Sequence, residues 1–521
     1  MHAVISKPRW QLPRKRILIV NCFFDELRRS IHRSSKVPQA MAPAYLAGAF
    51  SKELCDIRLH SELATGQLES EALLGWPDML VLTGLTNAFD RMLHLTAYVR
   101  TKNPKAIVVA GGPAIRALPR LSGRFFDYSC NGDVEQMKEV IRDAFGAAYT
   151  VDEIMPRFDL AYWVGGMIGY VETSRNCNFH CSFCSLTGEG RNYEKYDLET
   201  IRKHILALGK KKIVVFLDNN FYGNDRKFFL ARLELIRSLW KQGVFEGWGA
   251  LVTSDFFLKS KNLVLARESG CQVLFSGLES LSMEWLRKFN KVQNTLMPPL
   301  QMIRSCDEAG IIFSYGMMLD PCERSLAELR EELEFIIATP EIPLPSYLSV
   351  PVPIPKTPFF FECVAKKALL PFTRLRDLDS TTLSLKPLEP MRKVAAFIKE
   401  IQSPRGYRMR ALQHTVHFLR RHSFGLGRLQ ILIALGSAAV FCAPTYGTAP
   451  KYSSLRKKSQ RTFISTSELL DKAYSPFFPV SSSYESYFKP TMLTDAEGCL
   501  TDDMQELMDS GNEVKSALDS R

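Results

Sequence analysis

Three cysteines define the chemistry open to this chain. Cys177, Cys181 and Cys184 stand in the run Arg-Asn-Cys-Asn-Phe-His-Cys-Ser-Phe-Cys, a C-x3-C-x2-C spacing. Three thiolates this close can ligate three irons of a cubane (4Fe-4S) cluster. The next cysteine is Cys271, so the local set stops at three. A metal site with one open position is built for chemistry, the distinction that separates catalytic from structural zinc. A zinc knuckle or three buried thiols are the competing readings. Structural zinc wants paired C-x2-C units, and the second unit is missing here.

Around this loop the chain alternates strands and helices. Upstream, apolar runs at 16–20, 55–59, 78–83, 106–110 and 128–130 predict strands, with helices over 41–50, 89–101 and 136–145. That spacing is the pattern of a doubly wound parallel, Rossmann-like sheet. Such sheets bind ligands beyond their carboxyl ends, where Thr83, Gly84, Gly111 and Gly112 fall. Downstream, runs at 168–173, 212–217, 248–252, 271–275, 311–316 and 346–350 predict six strands with helical crossovers, which close most simply as a partial (β/α)6 barrel. The cysteine loop and the polar groups Asp218, Asn219, Asn220 and Glu279 all follow strand carboxyl ends.

The cysteine run, with Phe183 before its last cysteine, resembles the cluster motif of radical S-adenosylmethionine (SAM) enzymes. The resemblance implies that SAM chelates the open iron and is reductively cleaved to a 5′-deoxyadenosyl radical, with electrons from a flavodoxin or ferredoxin. It also implies roles around SAM. Asp218 and either Asn219 or Asn220 would accept from its amino group, Glu279 would take the ribose hydroxyls, and Phe183 and the stretch at Val350 would flank the adenine. The first domain, with Leu82-Thr-Gly-Leu-Thr86, Gly111-Gly-Pro113 and Gly132-Asp-Val-Glu135, resembles the cobalamin-binding domain found before many such cores. Two departures stand out. No D-x-H-x-x-G follows the first strand, Asp25 and His32 being too far apart, so a histidine ligand to cobalt is not supported. A relic fold without cofactor is the alternative. In Pro353-Ile-Pro-Lys-Thr-Pro358, Lys356 stands where the related motif has glycine, at a strain cost if that backbone needs a positive φ. Cys322 reads as an ordinary loop residue.

The segment 375–387 resembles the post-core segment of the anaerobic Mg-protoporphyrin cyclase and hopanoid methylase branch. The resemblance therefore implies functionalisation of an unactivated carbon in a small, hydrophobic intermediate, by methyl transfer with cobalamin or by oxidative cyclisation. A non-catalytic iron–sulfur or cobalamin module is the rival from another class.

Domains are expected at 14–150 and 166–365, joined by a linker at 151–165 and followed by a helical region at 366–445 and a polar, partly disordered tail at 446–521. In the helical region Arg405, Arg408, Arg410, Arg420, Arg421 and Arg428 precede an apolar run at 429–443, shorter than the about twenty residues that span a bilayer. A buried helix and peripheral membrane contact are both open. His414, His417 and His422 in that stretch are not expected to bind metal. Twelve scattered cysteines in 521 residues are no disulfide framework and point to a reducing cytoplasm. The net charge of +12 suits an anionic partner. Nothing resembles an RNA-binding appendage, so nucleic acid is not expected.

Overall fold

A computed structural model describes residues 12–24, 41–161, 166–380, 382–401, 403–421, 427–442 and 476–509. Asp25, His32, His422, Ala443 and the stretch 444–475 lie outside the described residues.

The first sheet has five parallel strands: β1 (Lys15–Asn21), β2 (Cys55–Ser61), β3 (Met79–Thr83), β4 (Ile107–Gly111) and β5 (Tyr128–Cys130), in the order β2-β1-β3-β4-β5. This is a doubly wound order, whose chain reversal beside β1 and β3 opens a crevice at the carboxyl ends. β1, β3 and β4 are almost continuously apolar because helices cover both faces. The helix Phe89–Lys102 is buried at every residue from Phe89 to Val99. A helix buried all round must be covered on its outer face too. Residues 477–488 provide that cover. Phe477 and Phe478 lie 4.5 and 4.8 Å from the Tyr98 ring, and Phe488 stacks on His94 at 4.6 Å. The polar tail expected from sequence thus contains an aromatic segment that belongs to the first domain's core.

The second sheet has six parallel strands in consecutive order: β6 (Ile168–Val171), then, beyond a short antiparallel ribbon of β7 (Ser174–Arg175) and β8 (Glu194–Lys195), β9 (Ile213–Phe216), β10 (Gly247–Leu251), β11 (Cys271–Glu279), β12 (Ile312–Met318) and β13 (Tyr347–Ser349). β6 and β13 are open edges, so the barrel is partial, as expected. Tyr45 of the first domain packs edge-on against Phe158 at 6.2 Å and His204 at 5.4 Å, joining the two domains through one apolar cluster.

Beyond the barrel, the helices Met409–Arg421 and Arg428–Cys442 form a hairpin. Gln430, Ala434, Ser437, Ala438 and Phe441 turn inward, and Gln430 donates to the Gln272 and Gly310 carbonyls. The helix is therefore packed on one side. No helix among the described residues is long and apolar enough to cross a membrane.

Candidate active site at the cysteine loop

β6 hands the chain to the cysteine loop through Thr173 and Ser174, and Asp218, just beyond β9, fixes that handover. Its carboxylate accepts from the Thr173 amide (2.6 Å), the Ser174 amide (3.2 Å), the Thr173 hydroxyl and the Arg232 guanidinium (2.8 Å). Asp218 and Arg232 are both fully buried, and Arg232 lies 3.7 Å over the Phe221 ring. Arg232 comes from the helix Arg226–Lys241, whose start is capped by Asp225 accepting from the Phe228 amide. Asn220 is buried beside Asp218 and donates to Asn178 Oδ1 (2.9 Å), the residue after Cys177. Asn219, between them, is exposed. One strand end thus grips the loop at two points and leaves one amide outward.

The far side of the loop is held by residues 279–294. Ser182 donates from its amide and its hydroxyl to the Phe289 carbonyl. Gln293, 3% exposed, points its Nε2 at the Cys181 sulfur, 2.7 Å away. Lys291 Nζ lies 5.2 Å from the Phe183 ring centre and 2.6 Å from Glu279 Oε1. Glu279 ends β11 past a register shift, with φ +68°. A non-glycine residue in that region is held there by its surroundings at about 1–3 kcal/mol, a feature that clusters at functional sites. Gln293 Oε1 and Asn294 Oδ1 are buried acceptors with no hydrogen-bond partner among the described residues. The Val350 amide is already used by the Ser380 carbonyl (3.0 Å), and its side chain is buried.

Burial pushes the Cys177 thiol up to about 12, and Cys184 and Cys181 add to it through their proximity. Cys184 is raised by burial and then by Cys181. Such thiols become thiolates when a metal displaces the proton. Among the described residues no three potential ligands converge tightly enough for one metal ion.

The first domain reaches this loop through three ion pairs. Glu135 takes Arg175 at 2.7 Å, Asp133 takes Arg191 at 2.6 Å, and Arg116 takes Glu189 at 2.8 Å. Arg175 also reaches Glu172, whose carboxyl is pushed up to about 7, chiefly by burial. The Gly132-Asp-Val-Glu135 segment therefore clamps arginines on both flanks of the cysteine loop. Between the domains lies a cavity of about 240 Å³, lined by Thr86, Pro113 and Arg116 on one side and by Ser185, Glu189 and Lys356 on the other. No histidine among the described residues lines it. Thr83 pairs with Gly111 across β3 and β4. Gly84 and Gly112 pack on each other: a Cβ on Gly112 would strike the Gly84 carbonyl, and one on Gly84 would lie 2.8 Å from Ala88 Cβ. Their need for glycine is met by this close approach of two loops. At about 240 Å³ the cavity is below the usual range of about 300–1,000 Å³ for ligand pockets. A corrinoid at this position requires the domains to part. Cys322 packs in an apolar cluster, and burial raises its thiol, as for an ordinary buried cysteine.

Residues 171–336 match the Radical SAM superfamily. The barrel of this chain is thus a radical SAM domain. Among its relatives, the bacteriochlorophyllide d C-12(1)-methyltransferase of Chlorobaculum tepidum is 29% identical over 36% of this chain and 41% of its own length. The hopanoid C-2 methylase of Rhodopseudomonas palustris is 24% identical over 73% of this chain and 72% of its own. The chain thus spans less than half of the first relative and nearly three quarters of the second. In fold it is similar to the radical SAM methyltransferase TsrM from Kitasatospora setae, with TM-score 0.55 and 13% identity over 76% of this chain and 90% of that one. It is also similar to the cobalamin-dependent SAM radical enzyme OxsB, with TM-score 0.54 and 14% identity over 96% and 84%. A radical SAM domain carries a 4Fe-4S cluster and SAM, and Cys177, Cys181 and Cys184 provide ligands of the right type for the cluster. Arg116, Arg175, Arg191, Arg232, Lys291 and Gln293, which position this radical SAM site, were absent from the sequence reading. The one local signal was that Arg175 and Arg191 bracket the cysteines.

Proposed function

We propose that the chain is a cobalamin-dependent radical SAM methylase of a small hydrophobic biosynthetic intermediate. The carrying observation is the cavity itself: the carboxyl ends of β3 and β4 face the helix that follows Cys184 across it. Cofactors of the two domains would meet there. The relatives' names, methylase and methyltransferase, support the same reaction.

Cys177, Cys181 and Cys184 would hold the cluster, which supplies the electron that cleaves SAM. This chain's own groups would do the rest. Asn219 is the outward amide for the SAM amino group, because the Asp218 oxygens are engaged within the protein. Glu279, fixed by Lys291, is the acceptor for the ribose hydroxyls, and Phe183 and Val350 would flank the adenine. Reducing equivalents would come from a flavodoxin- or ferredoxin-type donor.

The test is anaerobic reconstitution with iron, sulfide and hydroxocobalamin, reduction with methyl-deuterated SAM, and analysis for 5′-deoxyadenosine and labelled methylcobalamin. Both products are expected, and Cys181→Ala should lose the deoxyadenosine. A full cluster that yields neither, in the presence of candidate tetrapyrrole and terpenoid substrates, refutes the proposal. Deoxyadenosine without methylcobalamin would favour oxidative cyclisation.

Peripheral membrane contact has its own support. Met409, Leu412 and Val416 form an exposed stripe on one helix of the hairpin, and Ile431, Leu432 and Leu435 are exposed on the other. Arg405 and Arg420 flank them in the open. An apolar surface beside arginines suits an anionic bilayer. Flotation with anionic liposomes should carry the wild type and leave a Leu432→Ser/Leu435→Ser variant at the bottom; a wild type that stays down removes the idea.

A further inference from the structure

Lys356 occupies a position that does not suit it. Its φ is +67°, a region that glycine enters freely and a lysine does not. The backbone is held there from outside: a Cβ on Gly188, in the helix after the cysteine loop, would lie 2.9 Å from the Lys356 carbonyl carbon. A glycine at 356 would satisfy this geometry, so lysine must be justified by its side chain.

That side chain lines the interdomain cavity. Its Nζ donates to the Arg116 carbonyl at 3.1 Å, and among the described residues no carboxylate pairs with it. The other two cations of the cavity are matched, Arg116 by Glu189 and Arg191 by Asp133. Lys356 is therefore an uncompensated positive charge, half-buried in a polar cavity beside the cysteine loop. Such a charge is worth most against an anion that enters with it, because the surroundings screen it less than water would.

We propose that this cavity receives a single anionic group, a carboxylate or a phosphate, and that Lys356 selects for it. The proposal rests on the reading that substrate and corrinoid meet between the domains. The anion belongs either to the molecule being modified or to the phosphate of the corrinoid.

The experiment is calorimetric titration of inorganic pyrophosphate, and separately of glutarate, into the cluster-reconstituted full chain, before and after loading with hydroxocobalamin. Wild type and Lys356→Arg should bind one of these anions. Lys356→Gly and Lys356→Asn should bind it about tenfold more weakly or worse, the effect of one charge-assisted contact. Lys356→Gly should melt above the wild type, which shows that the loss is not unfolding. Binding abolished by corrinoid loading assigns the anion to the corrinoid, and binding that survives assigns it to the substrate. Equal affinity in wild type and Lys356→Gly, or no binding by wild type of either anion, overturns the proposal. Anion binding through Lys356 in a protein that never cleaves SAM would leave this site standing while the methylase reading fell.

Discussion

Cys181 has a side-chain amide, that of Gln293, aimed at its sulfur. A hydrogen bond to a cluster sulfur offsets the charge that reduction adds and so raises the potential. Replacing Gln293 by Leu should therefore shift the midpoint of the reconstituted cluster to a more negative value with iron content unchanged, read by EPR during a redox titration; an unmoved midpoint would make Gln293 a packing residue. Asp218 and Arg232 invite a different test. Arg232→Met leaves a fully buried carboxylate without its counter-charge, a loss of about 3–5 kcal/mol in urea unfolding. The double variant with Asp218→Asn should recover part of that loss, since the unpaired charge is gone. His204 answers to pH. Burial lowers its pKa from 6.5 to about 4. The folded state thus resists protonation more than the unfolded chain, so the stability this histidine contributes is complete above about pH 6.5 and is lost as pH falls through 4. A His204→Gln variant should show a flatter dependence of melting temperature on pH in that window.

At the scale of elements, the strands were readable because each is an apolar run of strand length that stops at a polar or glycine residue. Val108, Val109 and Ala110 before Gly111, and Ile213 to Phe216 before Asp218, could be little else in a chain of alternating strands and helices. The cysteine loop was readable because metal chemistry demands particular residues at short range. The ion pairs around it were not. Glu135 and Arg175 are brought together by the docking of two domains, and neither residue type announces its partner. Asp218 shows the same limit in reverse: a strand-end aspartate has the look of a ligand in the sequence, but the fold encloses it with Arg232 from the following helix. The 477–488 segment is hard to place from sequence for a different reason. Its serines suggested a solvated tail, while the aromatic residues Phe477, Phe478, Tyr484, Tyr487 and Phe488 carried the true signal. Ending the chain after residue 475 should uncover the helix Phe89–Lys102, seen as rapid proteolysis within the first domain while the barrel persists. Resistance equal to that of the full chain would mean that the segment contributes little.

Across the whole molecule, the two domains are bound by more than the linker. Tyr45 and His204 share one cluster, the three ion pairs surround the cysteine loop, and Val352, Phe360, Leu375 and Leu378 enter the core of the first domain. Arg376 lies over the Phe24 ring at 4.8 Å and 3.7 Å from the buried Asp90 carboxylate. The same core also takes in Phe478, Tyr487, Leu493, Met504 and Leu507. That arrangement sets an order of events during synthesis. The first domain leaves the ribosome before the barrel, yet cannot complete its apolar interior until residues near 507 have followed it out. At about 5–20 residues per second, the helix Phe89–Lys102 waits tens of seconds with its outer face bare. The nascent protein is thus exposed to aggregation over most of its translation, and holding chaperones should associate with it through that helix until the last aromatic segment arrives.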